Sequence, residues 1–456
     1  MDFDAIVVGA GPGGCLAARD LARAGFSIGL FDTDNRENLS NTIIVEVERK
    51  IFDTIGVRKP EGDEIIFHQE RMRVFSPRRK ECFTVEGQYP TISVRLDQLV
   101  KRLLAEAEQA GVKFFGNYKA IEPIVKGGRI KGATFDTDQA RAEVKARLVI
   151  DATGFNAVLT RQLDPEMGIG FEDREMDMVI AGNYFHEIDV EKAKAAIHKK
   201  LHYDDEIRNC IGIYGNYSTE YSYLSLDKQR AYILIGVRKH PKQEPLQELI
   251  DRFRKEQGYY GMCLYGGKAF IRTRRSWDKL VADGFMVIGG AACQVTPVTA
   301  AGVSAALHAG HLAARAGARA LKDGNPDTAA LWPYSYQYQA GRGSILATYD
   351  AGVAGIRSMR NDYLVALMEA KVMQPEDVYN VAVPAYLSIS LCSLPTRIWG
   401  LLKNPSTICK VVNIGAAILK VKKHYANYPR SYDKAGFEAW NKKNRQIFAP
   451  LEAEIK

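Results

Sequence analysis

The most constraining stretch of this chain is its first thirty-two residues. Asp4-Ala5-Ile6-Val7-Val8 is a short apolar run with strand composition, and Gly9-Ala10-Gly11-Pro12-Gly13-Gly14 follows at once. Cys15 to Gly25 has helical period and ends on glycine. A second apolar run, Ser27 to Phe31, ends at Asp32, eighteen residues after Gly14. Each part has a physical role. Gly9 permits a tight turn, Gly11 lets the backbone approach a pyrophosphate, and Gly14 lets the helix pack close to the sheet. The helix N-terminus offers free N–H groups and the positive end of its dipole to phosphate. Asp32 can accept hydrogen bonds from ribose hydroxyls. The unit predicts a dinucleotide-binding α/β domain. Cys15, at the helix start, reads as a small packing residue rather than a redox thiol.

The rest of the chain is long enough for more than this domain. Its 456 residues are 46% hydrophobic and 25% charged, a globular balance that excludes a disordered or fibrous chain. No charge-free apolar run reaches membrane-spanning length. The seven cysteines are scattered without a CxxC pair, which predicts reduced thiols and a cytoplasmic protein. The N-terminus lacks a basic region before its first strand, so no signal peptide is expected.

Three later segments specify the dinucleotide. Ile92 to Leu99, including Arg95, leads into a helix that ends near Gly111. Leu148-Val149-Ile150-Asp151-Ala152-Thr153-Gly154 is a strand closing on glycine. Gly284 to Ala292 is another strand, followed by Cys293-Gln294-Val295-Thr296-Pro297 and a helix start at Gly302. With the N-terminal unit, these resemble the FAD-binding segments of the p-hydroxybenzoate-hydroxylase-like flavoproteins. Within that superfamily the chain looks most like the geranylgeranyl reductases. The resemblance covers roughly residues 1–320 in order and spacing.

The resemblance implies an FAD cofactor held by Gly9, Gly11, Pro12, Gly13, Gly14 and Asp32. It implies Arg95 against the ribityl–pyrophosphate region, Asp151 and Gly154 beside the cofactor, and Gly289, Gly290, Ala291, Pro297 and Gly302 near the pyrophosphate, ribityl chain and ring. The fold implied is a discontinuous Rossmann-like domain (1–165, with a small strand insertion near 65–93, and 271–330), an inserted mainly antiparallel β-sheet substrate domain (166–270) and a helical C-terminal region (331–456). The activity implied is reduction of carbon–carbon double bonds in a prenyl or other apolar substrate. A flavin monooxygenase on the same fold is the nearest alternative, and a non-catalytic binding protein on a degenerate flavin scaffold is the third.

Three departures stand out. The family usually has Gly-Asp-Ala where this chain has Gly289-Gly290-Ala291. The lost aspartate would bond a ribityl hydroxyl, a contact worth about 1.5–3 kcal/mol. No cysteine occupies Asn41 to Glu48, where geranylgeranyl reductases often carry one. The family's aromatic-x-Trp-x-Phe-Pro motif is reduced to Tyr221-Ser222-Tyr223-Leu224-Ser225. Tyr217, Tyr221 and Tyr223 are candidate substrate-lining residues, with Tyr184 beside them; core packing competes with that role for each.

No second strand–glycine–helix unit exists for a nicotinamide. Electrons are therefore expected from transient NAD(P)H or a ferredoxin-type carrier. His308 and His311 share a helix face without a third ligand, so no metal is expected. No catalytic residue is assigned. From Val378 to Tyr432 there is no Asp or Glu, while Arg397, Lys403, Lys410, Lys420, Lys422, Lys423 and Arg430 nearly equal the net charge of +8. Three uses fit this basic region: a helical cap packed on the core, an amphipathic surface on an anionic membrane, which would place the protein on the inner face of the cell membrane, or a docking site for an acidic electron carrier. Nucleic acid is excluded as a partner for want of a binding module.

Overall fold

In a computed structural model, the chain is described for residues 2–453 except 41–42, 69–70, 77–79, 88–89, 171–173, 175–176, 202–206, 214–217, 239–243, 358–360, 387–391 and 404. The opening unit forms β1 (Asp2–Val8), α1 (Pro12–Arg23) and β2 (Ile28–Phe31). Then come β3 (Ile44–Glu48), α2 (Ile51–Ile55), β4 (Ile65–His68), β5 (Arg71–Phe75), β6 (Glu81–Glu86), β7 (Thr91–Arg95) and α3 (Leu96–Gln109). β8 (Lys113–Phe115), β9 (Lys119–Lys126), β10 (Arg129–Asp136) and β11 (Arg141–Asp151) complete the first half of the main domain.

β1, β2 and β8 to β11 belong to the main sheet, and β3, β4 and β7 form a small second one. β1 lies between β2 and β11, parallel to both, because the four apolar residues Ala5–Val8 are buried and require neighbours on each side. The β9–β10 hairpin is added antiparallel to β11. β7 pairs with β3 and β4 in a small antiparallel sheet.

The middle of the chain supplies β12 (Met178–Ile188), α4 (Val190–Leu201), β13 (Ile207–Ile213), β14 (Ser218–Ser225), β15 (Arg230–Arg238), α5 (Leu246–Gln257) and β16 (Tyr260–Arg272). Its strands form a seven-stranded sheet in the order β16-β12-β15-β14-β13-β5-β6. The insertion near 65–93 is therefore shared between two sheets. β4 stays with the main domain, whereas β5 joins β13 in parallel, Cys210 opposite Arg73. α5 packs Leu246, Leu249, Ile250 and Phe253 on one face of the large sheet, against Ile233, Ile235 and Val237.

The chain then returns to the main domain with β17 (Val281–Ala282) and β18 (Phe285–Val287), and β18 pairs parallel to β11. α6 (Val303–Lys322) crosses α1 closely, since a Cβ on Gly310 would come within 2.3 Å of the Gly13 carbonyl oxygen. The remainder is helical: α7 (Thr328–Tyr338), α8 (Ser344–Arg357), α9 (Asn361–Glu369), α10 (Pro375–Ala382), α11 (Leu394–Leu402), α12 (Pro405–Tyr425) and α13 (Lys434–Ala453). A turn of π-helix over Gln339–Gly343 joins α7 to α8, kinked at Gly341. Trp332 anchors this region, buried beside Tyr428, Tyr432 and Phe437 with its indole N–H on the Pro429 carbonyl.

Candidate cofactor site

The parallel strands end in one row. Val8 is level with Phe31 on one side and Asp151 on the other, and Asp151 is level with Val287. The residues that follow, Gly9, Asp32, Ala152 and Ile288, line the carboxyl edge of the sheet, where open α/β sheets take their ligands. Four expected segments thus meet at one edge.

The glycine turn there cannot be built from larger residues. Gly9 has φ +106, and a Cβ on it would reach within 2.3 Å of the Ala152 carbonyl oxygen. A Cβ on Gly14 would lie 1.9 Å from the Gly9 carbonyl oxygen, and one on Gly13 2.7 Å from that of Ala306. Gly11 differs. It is the N-cap of α1 with an ordinary φ of −68, and a Cβ there would meet nothing within 4 Å. The protein's own packing therefore does not explain a glycine at this position. A ligand approaching the exposed backbone does, and α1 aims its free N–H groups there. Cys15 is buried, with its thiol on the Ala10 carbonyl at 3.1 Å. Burial drives its pKa far up, so it is a packing residue.

Asp32 follows β2. One carboxylate oxygen accepts from the Ala10 amide at 2.6 Å, the other from the Asp34 amide at 2.9 Å. Burial raises its pKa, and those two amides oppose the rise. Both oxygens keep a second lone pair for the ribose hydroxyls. The residues present therefore fit the FAD that the resemblance implies.

Asp151 has a different task. It is fully buried, and its two oxygens accept from the amides and hydroxyls of both Thr153 and Thr160 at 2.6–3.0 Å. It braces the loop that carries Gly154, which has φ +63 and open space at its Cβ position. The 3-10 turn Gly154–Asn156 then lies over Gly290, where a Cβ would be 3.1–3.3 Å from Gly154 and the Phe155 nitrogen. A side chain at 290 would therefore crowd that turn, which would have to give by a few tenths of an ångström. Arg272 holds the turn from outside. Its guanidinium donates to the Phe155 carbonyl and sits 4.1 Å above the Phe155 ring.

The segment after β18 is fixed by a buried network. Gln294 accepts from the Gly289 amide at 2.6 Å and donates to the Tyr334 hydroxyl at 2.9 Å, which donates to the Val287 carbonyl at 2.8 Å. Trp277 bonds the Ala291 carbonyl at 2.7 Å, and Arg238 bonds that of Pro297 at 3.1 Å. Gly302 caps α6.

Arg95 caps α3 and is ion-paired with Asp97 at 2.7 Å, its guanidinium 5.9 Å from the Tyr265 ring centre. Tyr265 belongs to an aromatic wall on the large sheet. Phe185 stacks on Tyr265 at 4.8 Å and meets Tyr232 at a tilt, 5.0 Å away, and Phe67 stacks on Tyr223 at 3.9 Å. Asn183 of β12 exchanges two hydrogen bonds with the backbone of Ile44 and ties this wall to the main domain. Of the expected substrate tyrosines, Tyr223 is 3% exposed and belongs to this core. Tyr221 lies between that cluster and one around Met72 and Met368. Tyr217 lies outside the described residues. Tyr184 packs on the α5 side, away from the wall.

Two polar groups beside the site carry no sequence signature. Glu48 and Arg342 form a two-pronged ion pair at 2.6 and 3.0 Å, across 294 residues, and the Glu48 amide donates to Ser304 at the start of α6. With Glu46 and Thr296 they line a water-sized cavity of about 10 Å³. His308, one turn into α6, has its pKa lowered to about 4 by burial, with Arg342 and His311 adding repulsion. His311 instead faces Asp20, 2.9 Å away. No group of metal-ligating side chains is found among the described residues.

The chain is similar to several known proteins. Over its full length the chain is 25% identical to a digeranylgeranylglycerophospholipid reductase of Sulfolobus acidocaldarius, spanning 100% of this chain and 99% of that one. A reductase of the same name from Methanoculleus marisnigri is 25% identical over 76% of this chain and 84% of its own. Among solved structures, a geranylgeranyl bacteriochlorophyll reductase-like protein of Thermoplasma acidophilum superposes with a TM-score of 0.71 at 18% identity, over 91% of this chain and 99% of that one. A myxobacterial chondrochloren halogenase shares the fold at a TM-score of 0.61 and 15% identity, over 96% and 99%. The model of the FAD dependent oxidoreductase family matches residues 4–243, the span that holds the glycine turn, Asp32, Arg95 and the Asp151 brace. The chain belongs to the FAD dependent oxidoreductase family.

Proposed function

We propose that this oxidoreductase saturates carbon–carbon double bonds in the prenyl chains of a lipid. The observation that carries this reading is the end-to-end match to a digeranylgeranylglycerophospholipid reductase. The aromatic core of Phe67, Phe185, Tyr223 and Tyr232 backs this reading only as a rigid support for the large sheet that would face the substrate.

Bound and reduced FAD supplies the hydride. The chain's own residues do the rest. The first turn of α1 and the Gly11 backbone would hold the pyrophosphate, and Asp32 would hold the ribose. The Gly154 turn, Gly289 to Ala291, Pro297 and Gly302 would carry the cofactor's middle and ring, with Arg95 as a further contact. The N-terminus of α6 favours negative charge beside the ring. The sheet excludes water and aligns the alkene. Burial pushes the Tyr223 and Tyr232 phenols up, so both hydroxyls stay protonated at neutral pH. The second hydrogen arrives as a proton.

The electrons come from outside, through transient NAD(P)H or a ferredoxin-type carrier. A substrate of this class resides in a bilayer, so we place the protein peripherally on the inner face of the cell membrane. No described helix is long and apolar enough to cross one.

The test is anaerobic incubation of the FAD-loaded protein with dithionite and a phospholipid bearing unsaturated prenyl chains. Mass spectrometry should show the lipid gaining mass in steps of H2. No gain, or a product carrying one oxygen atom in air, would refute the reductase and favour a monooxygenase.

A further inference from the structure

Of the twelve large apolar side chains that are exposed among the described residues, six lie on two consecutive helices. They are Leu394, Ile398, Trp399 and Leu402 on α11, and Val412 and Leu419 on α12. Such clustering is unlike the scattered exposure of an ordinary surface.

Each helix already uses its other face. α11 buries Arg397 and Gly400, where a Cβ on Gly400 would lie 2.4 Å from the Ala370 carbonyl oxygen. α12 packs Ile414 and Ile418 on α8, in gaps left by Gly355 and Gly352. The spacing then turns the opposite stripe outward. On α11 it is Leu394, Ile398, Trp399 and Leu402; on α12 it is Val412, Ala416 and Leu419, continuing into Lys420 and Lys423.

The charges that α11, α12 and their connections carry have one sign. Arg397 is not part of it: it is buried and neutralised by Glu376 and Asp377, which removes one charge from the expected basic surface. Lys403, Lys420, Lys422, Lys423 and Arg430 are exposed. Lys403 sits 5.3 Å from the Trp399 ring, and Lys422 leans on Tyr386 at 4.2 Å. No acidic residue occurs between 378 and 432 to oppose them.

We infer that the outer faces of α11 and α12 form a docking surface for an anionic phospholipid bilayer. Apolar stripes with an exposed tryptophan, rimmed by lysines, match the depth profile of a membrane interface: hydrocarbon, then ring, then anionic headgroup. The inference rests on the lipid-reductase reading for its purpose, but its test does not.

Trp399 is 62% exposed, whereas Trp277, Trp332 and Trp440 are buried, so iodide quenching of tryptophan fluorescence reports on this surface alone. The FAD-loaded full-length protein is mixed with vesicles of phosphatidylcholine, with or without phosphatidylglycerol. We expect co-sedimentation only with phosphatidylglycerol present, release by salt, and protection of Trp399 from iodide. Lys420→Gln with Lys423→Gln should weaken binding roughly fivefold per lysine. Trp399→Ser with Leu402→Ser should weaken it further, leaving FAD content and reduction of detergent-dispersed lipid unchanged. Absence of vesicle binding, or binding that survives both variants, overturns the inference while leaving the reductase reading intact. Protection of Trp399 that grows with protein concentration without vesicles also overturns it, in favour of a second copy of the chain.

Discussion

Gly11 offers the sharpest test of the cofactor cradle. A Cβ at this residue meets no protein atom within 4 Å, and its φ of −68 is ordinary for alanine. Gly11→Ala should therefore leave the fold alone. The lost freedom of the unfolded chain favours alanine by about 0.4–1 kcal/mol. A poorer N-cap costs a similar amount, about 0.5–1 kcal/mol, so the two offset. The cofactor should respond differently, because the methyl group stands where the pyrophosphate must approach the backbone. Loss of one charged backbone hydrogen bond, about 1.5–3 kcal/mol, weakens FAD binding some ten- to hundredfold. Gly14→Ala is the control. Its Cβ would lie 1.9 Å from the Gly9 carbonyl oxygen, so it should cost about 1–3 kcal/mol of folding stability even without FAD. The assay is FAD titration by flavin fluorescence beside thermal unfolding of the apoprotein. An unchanged FAD affinity in Gly11→Ala, or an apoprotein melting well below the parent, would refute the reasoning.

Other expectations follow from the same geometry. Gly290→Asp should not tighten FAD, because its side chain would crowd the Gly154 turn pinned by Arg272; it should lower stability by about 1–3 kcal/mol, read by thermal melts beside FAD titration. Arg342→Ala should cost about 3–5 kcal/mol by leaving Glu48 buried without its partner, while the double variant with Glu48→Met should recover part of that in denaturant unfolding. His308 binds its proton less readily when folded, with its pKa lowered from 6.5 to about 4. Stability should therefore be complete above pH 6.5 and fall as pH drops toward 4, by at most about 3 kcal/mol, and His308→Gln should flatten that limb in pH-dependent melts.

What the sequence made legible was local. A buried apolar run, a glycine turn, a helix and a terminal acid lie within thirty-two residues, and each is shaped by its neighbours in the chain. The same holds for the strand that ends at Asp151 and for the helix that starts after Gly302, whereas the strand expected over 284–292 is cut to Phe285–Val287, because the glycine-rich stretch after it turns into a 3-10 coil over Gly289–Ala292. What was hidden depends on pairing at long range. No pattern in Arg71–Phe75 says that this strand will leave its own insertion to lie parallel to Ile207–Ile213. Alternation places Tyr221 and Tyr223 on one face, but not against Phe67, the contact that makes Tyr223 core. Arg397 counts as a surface charge until Glu376 and Asp377 fold against it.

Asp151 and Gly290 show how this bears on function. A family pattern assigns an acid to position 290 and a place beside the cofactor to Asp151. In the fold the two positions act through one turn. Asp151 holds Thr153 and Thr160, that brace sets the turn at Gly154, and the turn crowds the side-chain position of Gly290. The glycine at 290 thus fits the close approach of that turn. If that is right, Thr160→Val should disturb FAD binding although Thr160 is 2% exposed and already saturates an Asp151 oxygen. The loss should appear as weaker FAD affinity with a loosened 152–160 loop in hydrogen exchange. An unchanged loop with weakened FAD would mean that Asp151 reaches the cofactor directly.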